Sequence, residues 1–146
     1  MNRYKDWLNQ SDEDYQAAVD SKNNKHFEWA CFQAQQAAEK ALKALLLFIN
    51  FETWGHGLMH LLKEWNNLID DKEEPNLIIE EKTLNALIEK CQELDMHYIQ
   101  PRYPNGFTSG YPAEYYNEKI AKNCINNAKI IIKFVKEKIE EISSSE

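Results

Sequence analysis

Apolar residues recur along this chain three and four positions apart, the spacing of one helix face, and no stretch shows the alternation of a half-buried strand. Tyr4, Trp7, Leu8, Ser11, Tyr15, Ala18 and Val19 predict a first helix over about residues 3–22. Asp12, Glu13 and Asp14 within it could cap a separate helix starting at Ser11, but the stripe crosses them without a change of phase, so one helix is expected. After a turn at Asn23 and Asn24, Phe27, Cys31, Ala34, Ala38, Ala41, Leu45 and Phe48 predict a second helix over about 26–50. Ala30, Ala37 and Ala44 lie beside that stripe and would let two neighbours, or one neighbour and a second subunit, come close. The Gly55 and Gly57 region breaks the pattern, and a short third helix is expected over 58–69, with Leu58, Leu61, Leu62, Trp65 and Ile69 inward. Residues 70–76, with Pro75, read as a loop, and a fourth helix is expected over 78–97. Residues 98–112 are irregular and hold three of the four prolines; aromatic content there argues for order. A last helix is expected from about Ala113, with residues 143–146 fraying. The pattern predicts an all-α fold, an antiparallel bundle of four to five helices, with residues 1–146 as a single domain.

Composition narrows the class. A chain of 146 residues suits one domain, and 43% hydrophobic with 28% charged residues is globular usage. The net charge of -7 disfavours nucleic-acid binding by the surface as a whole and leaves room only for a local basic site. Cys31, Cys91 and Cys124 are widely spaced and read as buried, reduced thiols; no C-x-x-C pair announces a zinc site, so neither metal nor cofactor is expected. The N-terminus has no apolar signal core and no run of 18 apolar residues exists, which points to a cytoplasmic protein without a membrane span.

Three groups of residues are candidates for chemistry. Arginine occurs only at positions 3 and 102, and lysine fills the other basic positions. Arg102 in a Pro-flanked loop offers the planar fork that binds phosphate or carboxylate bidentately, with Tyr103, Tyr111 and Tyr115 as stacking surface. Equally, Arg102 could clamp the loop on helix-end carbonyls or on a carboxylate such as Asp14. His56 and His60 are spaced to share a metal ion on a helix, but Gly57 stands where the H-E-x-x-H motif has glutamate, and a capping role for His56 is the simpler reading. Gln33, Gln35, Gln36, Glu39, Lys40 and Lys43 could line a polar cleft; the plainer expectation is a solvated face with Glu39–Lys43 support. There is no Gly-rich phosphate loop and no G-x-S-x-G.

Taken together, the segments resemble the HEPN domain family of small helical bundles. Trp7-Leu8 with Asp14-Tyr15 and Ala18 are similar to its first helix. The run from Cys31 through Gln35-Gln36, Glu39-Lys40 and Ala44 resembles its most recognisable stretch. His56 with Leu58, Leu61 and Leu62 looks like its His-Leu helix start, and Arg102-Tyr103-Pro104, Pro112, Ala121 and Ala128 match the pattern around its final helix. The resemblance implies a homodimer with a functional cleft near the final helices. It also implies a nucleotide or RNA ligand and a nucleotidyltransferase partner in a toxin–antitoxin or defence module. Active members of the family are metal-independent ribonucleases with an Arg, a few residues, then His. Here Tyr103-Pro104-Asn105-Gly106-Phe107-Thr108 follow Arg102, and the last histidine is His97. A binding protein using Arg102, Tyr103 and His56 is therefore expected ahead of a ribonuclease with a non-standard base, and a purely structural subunit is the third reading.

Overall fold

The computed structural model describes residues 1–71, 74 and 77–144. Six α-helices are present among them: α1 (Tyr4–Asn23), α2 (Phe27–Phe48), α3 (Leu58–Asp71), α4 (Glu81–Asp95), α5 (Pro112–Tyr115) and α6 (Glu118–Ser144). No strand occurs among the described residues. Helix α3 runs to Asp71, into the loop expected over 70–76; residues 72, 73, 75 and 76 of that loop lie outside the described residues, as do 145 and 146.

Helix α2 is the centre of the bundle. Ala30, Ala34, Ala37, Ala38, Ala41 and Ala44 are all fully buried, because α1 packs on one side of α2 and α6 on another. The small-residue faces of α2 are thus used by neighbours within the chain. Ser11 shows how close α1 comes: it is fully buried and its hydroxyl donates to the Ala37 carbonyl oxygen at 2.6 Å. Leu42, Leu45, Leu46, Leu58, Leu62 and Trp65 fill the space between α2 and α3. The indole N–H of the fully buried Trp65 donates to the Leu77 carbonyl oxygen at 3.0 Å.

The chain reverses by helix-end chemistry. Lys25 and Asn50 have φ of 66° and 63°, left-handed positions after α1 and α2. In each case the next residue's N–H reaches back five positions, His26 to Ser21 oxygen at 2.8 Å and Phe51 to Leu46 oxygen at 3.0 Å. This six-to-one closure satisfies helix-end carbonyls and fixes the exit direction.

Several expected boundaries move: α4 ends at Asp95 rather than His97, and α6 stays helical through Ser144, into the residues expected to fray. The fourth helix starts at Glu81 rather than Ile78 because Asn66 of α3 holds the Ile79 backbone, accepting its N–H at 2.8 Å and donating to its carbonyl at 3.3 Å. The last helix does not run from Ala113. Tyr116 is extended (ψ 143°), and Asn117 begins α6 afresh by accepting the Ile120 N–H at 2.9 Å. The break lets the Tyr116 ring turn into the core, where it is 7% exposed. The 98–112 stretch is ordered into two 3-10 turns, Gln100–Arg102 and Pro104–Gly106, with Pro101 buried.

Candidate functional site

Of the polar residues of α2 expected to form a solvated face, Gln33, Gln36 and Lys40 are half-buried, and the other three are buried. Gln35, Glu39 and Lys43 are 0%, 4% and 7% exposed. A carboxylate out of water needs compensation. Glu39 receives it from the Lys43 ammonium at 3.3 Å on one oxygen, and from His56 Nδ1 at 3.2 Å on the other. Gln35 donates to the His56 carbonyl oxygen at 3.1 Å, which holds the Gly-flanked segment against α2. With Nδ1 directed at a carboxylate, Nε2 is the ring nitrogen left without that partner. The side chain is 53% exposed.

His56 stacks on Tyr98, ring centroids 5.1 Å apart at 20°. The same Tyr98 ring meets Arg102, whose guanidinium carbon sits 5.0 Å from its centroid, 4.5 Å from Phe32 and 5.3 Å from Tyr103. The 3-10 turn at Gln100–Arg102 brings this about, placing Arg102 four residues after Tyr98, where its Nε–H donates to the Tyr98 carbonyl oxygen at 2.9 Å. Among the described residues that is the guanidinium's one hydrogen bond, and it makes no ion pair. Asp14 is not its partner, since that carboxylate pairs with Lys40. His56, Tyr98, Phe32, Arg102 and Tyr103 therefore form one surface: a cation with unengaged terminal N–H groups on an aromatic platform, beside an imidazole oriented by a buried carboxylate. Such a surface can take an anion together with a flat ring.

Other expected residues lie apart. Tyr115 stacks on Phe107 (4.3 Å, 18°) and donates to the Ser109 carbonyl at 2.7 Å, so it is spent on folding the loop. Tyr111 is exposed, and no ring contact joins it to Arg102. His60 is exposed, and among the described residues no third ligand joins it and His56 around a metal. Sequence reasoning misses Phe32 and Tyr98 as site residues, because Phe32 looks like an ordinary helix aromatic and Tyr98 like one of several aromatics that order the 98–112 stretch.

A second cluster has no trace in local sequence. The sulfurs of Cys31 (α2) and Cys124 (α6) and a ring nitrogen of His97, just past α4, all lie within 4.8 Å of one another. The Cys31 thiol is raised, first by its hydrogen bond to Cys124 and then by burial. Cys124 is lowered because it accepts from Cys31, with His97 adding to the effect. His97 Nδ1 meets the Tyr116 hydroxyl at 2.8 Å, and burial raises the Tyr116 phenol.

Comparison with known proteins agrees with this architecture. The HEPN domain profile matches residues 4–138. The chain belongs to the HEPN domain family. It is 27% identical over 137 residues, 92% of its own length and 87% of the other's, to "Putative toxin MJ1304" of Methanocaldococcus jannaschii. Among solved structures it is similar to TT1696 of Thermus thermophilus, with 36% identity, a TM-score of 0.82, and coverage of 94% of this chain and 99% of that one. The archaeal HEPN homologue ST0689 follows at 34% identity and TM-score 0.73, covering 95% and 99%. An HEPN domain protein of Thermotoga maritima, tm0613, gives 28% and 0.63, covering 90% and 94%.

Proposed function

We propose that this HEPN chain binds the phosphate and base of a nucleotide or of a single-stranded RNA end at the Arg102 surface, as one component of a cytoplasmic toxin–antitoxin or defence module. The observation that carries the reading is the Arg102 guanidinium, anchored through Nε alone over Phe32, Tyr98 and Tyr103. A guanidinium held by one edge keeps its remaining N–H groups for two phosphate oxygens. Base stacking on an exposed ring such as Tyr103 adds about 1–3 kcal/mol per base. The archaeal relative named as a toxin supports the module, and a nucleotidyltransferase partner comes with the family resemblance.

Binding of a fluorescent mononucleotide or a short single-stranded RNA, followed by anisotropy at low and moderate salt, tests this. Arg102→Ala should weaken binding at least about tenfold, and Arg102→Lys should recover only part of it because lysine lacks the fork. Equal binding by wild type and Arg102→Ala would reject the site.

The Glu39–His56 pair favours a second reading, a metal-independent ribonuclease. His56 Nε2 would take the 2′-hydroxyl proton as that oxygen attacks the adjacent phosphorus; the P–O5′ bond breaks, leaving a 2′,3′-cyclic phosphate, the departing 5′-oxygen takes a proton from water, and Arg102 would hold the charge gathering on the phosphoryl oxygens. Incubation with RNA in excess chelator separates the readings. The binding reading leaves RNA intact, whereas cleavage abolished by both His56→Ala and Arg102→Ala establishes the ribonuclease.

A further inference from the structure

We propose that Cys31, His97 and Cys124 form a binding site for one soft divalent metal ion, zinc by the chemistry of its ligands. The three residues come from different elements, α2, the turn after α4, and α6, yet their donor atoms fall within 4.8 Å of one another. Donors on a tetrahedral zinc ion lie about 3.5–3.8 Å apart, from metal–ligand distances of about 2.0–2.3 Å. Binding thus asks for a contraction rather than a rearrangement.

The surroundings are those of a ligand set rather than of ordinary core thiols. Cys91 is the internal comparison: it is equally buried, in the same core, and belongs to no such group. Cys31 and Cys124 instead face each other and an imidazole. A metal-bound histidine commonly has its second nitrogen fixed by an oxygen. His97 has such an oxygen at hand, the Tyr116 hydroxyl 2.8 Å from Nδ1, so the tautomer protonated on Nδ1 would offer Nε2 to the ion. Tyr116 reaches it because the chain breaks between α5 and α6. Three protein ligands leave a fourth position, and a groove of about 300 Å³ opens on the cluster, bordered by Glu93, Met96, Cys124 and Asn127. Charge closes as well: two thiols give up their protons on binding, and two thiolates neutralise a divalent ion inside the core.

The ion would join α2, α6 and the turn after α4 at one point. It would also fix the turn that leads from His97 into Tyr98, the ring that carries both His56 and Arg102. The site itself does not depend on what Arg102 binds.

The test uses the full chain, reduced and stripped of metal, titrated with cobalt(II) as a spectroscopic probe and then with zinc. Wild type should take up one cobalt per chain, with the thiolate-to-cobalt absorption of a tetrahedral site, and zinc should displace it and raise the melting temperature. Cys124→Ser and His97→Gln should each weaken binding by about 100-fold or more, and Tyr116→Phe, which removes the supporting oxygen, by about tenfold. Cys91→Ser should bind as wild type does. Serine in place of the fully buried Cys31 could disturb packing, so His97→Gln and Tyr116→Phe carry the test alongside circular dichroism of each variant. Failure of wild type to bind cobalt stoichiometrically overturns the site. Binding that is unchanged in Cys124→Ser and His97→Gln does so equally.

Discussion

At the scale of single residues, placing a charge in the interior sets the strongest constraints. Glu39 and Lys43 sit one turn apart on α2, a pairing worth a few tenths of a kcal/mol on a helix surface. Here both are buried, so the pair behaves differently. Glu39→Ala would leave the Lys43 ammonium without its carboxylate and His56 without its anchor. We expect a loss of about 3 kcal/mol, within the range for a broken buried pair, measured by urea denaturation. Arg102→Ala should cost much less, about 1 kcal/mol, because it gives up one hydrogen bond and partly exposed ring contacts. A loss of about 3–5 kcal/mol at Arg102 would mark it as a clamp instead. Cys91 supplies a pH dependence. Burial pushes its thiol up to about 12, from an ordinary value near 9. Above pH 9 the unfolded chain releases that proton while the folded chain keeps it, so stability falls as pH rises from about 9 towards 12. The difference in melting temperature between about pH 8 and about pH 10.5 should therefore be smaller for Cys91→Ala than for wild type.

Helices here are joined by side chains that finish one another's ends. Asp95, the last residue of α4, accepts the Leu58 N–H at 2.8 Å and the Met59 N–H at 3.2 Å, and so caps α3 from another element. Its charge also faces the positive end of the α3 dipole. Asp95→Ala should cost about 1 kcal/mol, typical of a lost N-cap, and Asp95→Asn less, as judged by thermal melting. The same residue fixes the Gly55–Gly57 segment that presents His56. Asp95→Ala should thus also lower nucleotide binding, although it touches no ligand. Sequence periodicity finds each long helix. It runs the fourth and last helices too far toward their N-termini, because Asn66 and Asn117 decide those starts through contacts that periodicity does not register.

The whole molecule leaves a specific surface uncovered. Ile99, Tyr103, Tyr111 and Tyr115 are 59%, 49%, 57% and 46% exposed, all in or next to the segment between α4 and α6. The family resemblance implies a dimer; because the alanines of α2 are consumed inside the monomer, we propose that such a dimer would form through Ile99 and Tyr111 of this segment, with Tyr103 left to the ligand. Light scattering at micromolar concentration should give twice the monomer mass, and Ile99→Glu with Tyr111→Glu should reduce it to one chain while the helical signal persists. A wild-type monomer across the range rejects the dimer. Among the described residues no helix is long and apolar enough to cross a membrane.

What the sequence determined by itself follows from short-range physics. A helix face repeats every three to four residues, so the stripes through Ala34, Ala38 and Ala41, or Ile131 and Val135, are legible without coordinates. Arg102 stands out by residue type and His56 by its glycines. Only the tertiary structure decided what those residues meet. The partners that matter are far apart in the chain: Tyr98 beside His56, Phe32 beneath Arg102, and Cys31 against Cys124 and His97. A residue's neighbours across helices depend on rotation and register between packed elements, which the periodicity of either element alone does not contain. For the same reason Glu39 and Lys43 read as solvated in the sequence: their spacing is identical on an exposed face and on a buried one, and only the packing of the surrounding elements against α2 distinguishes the two.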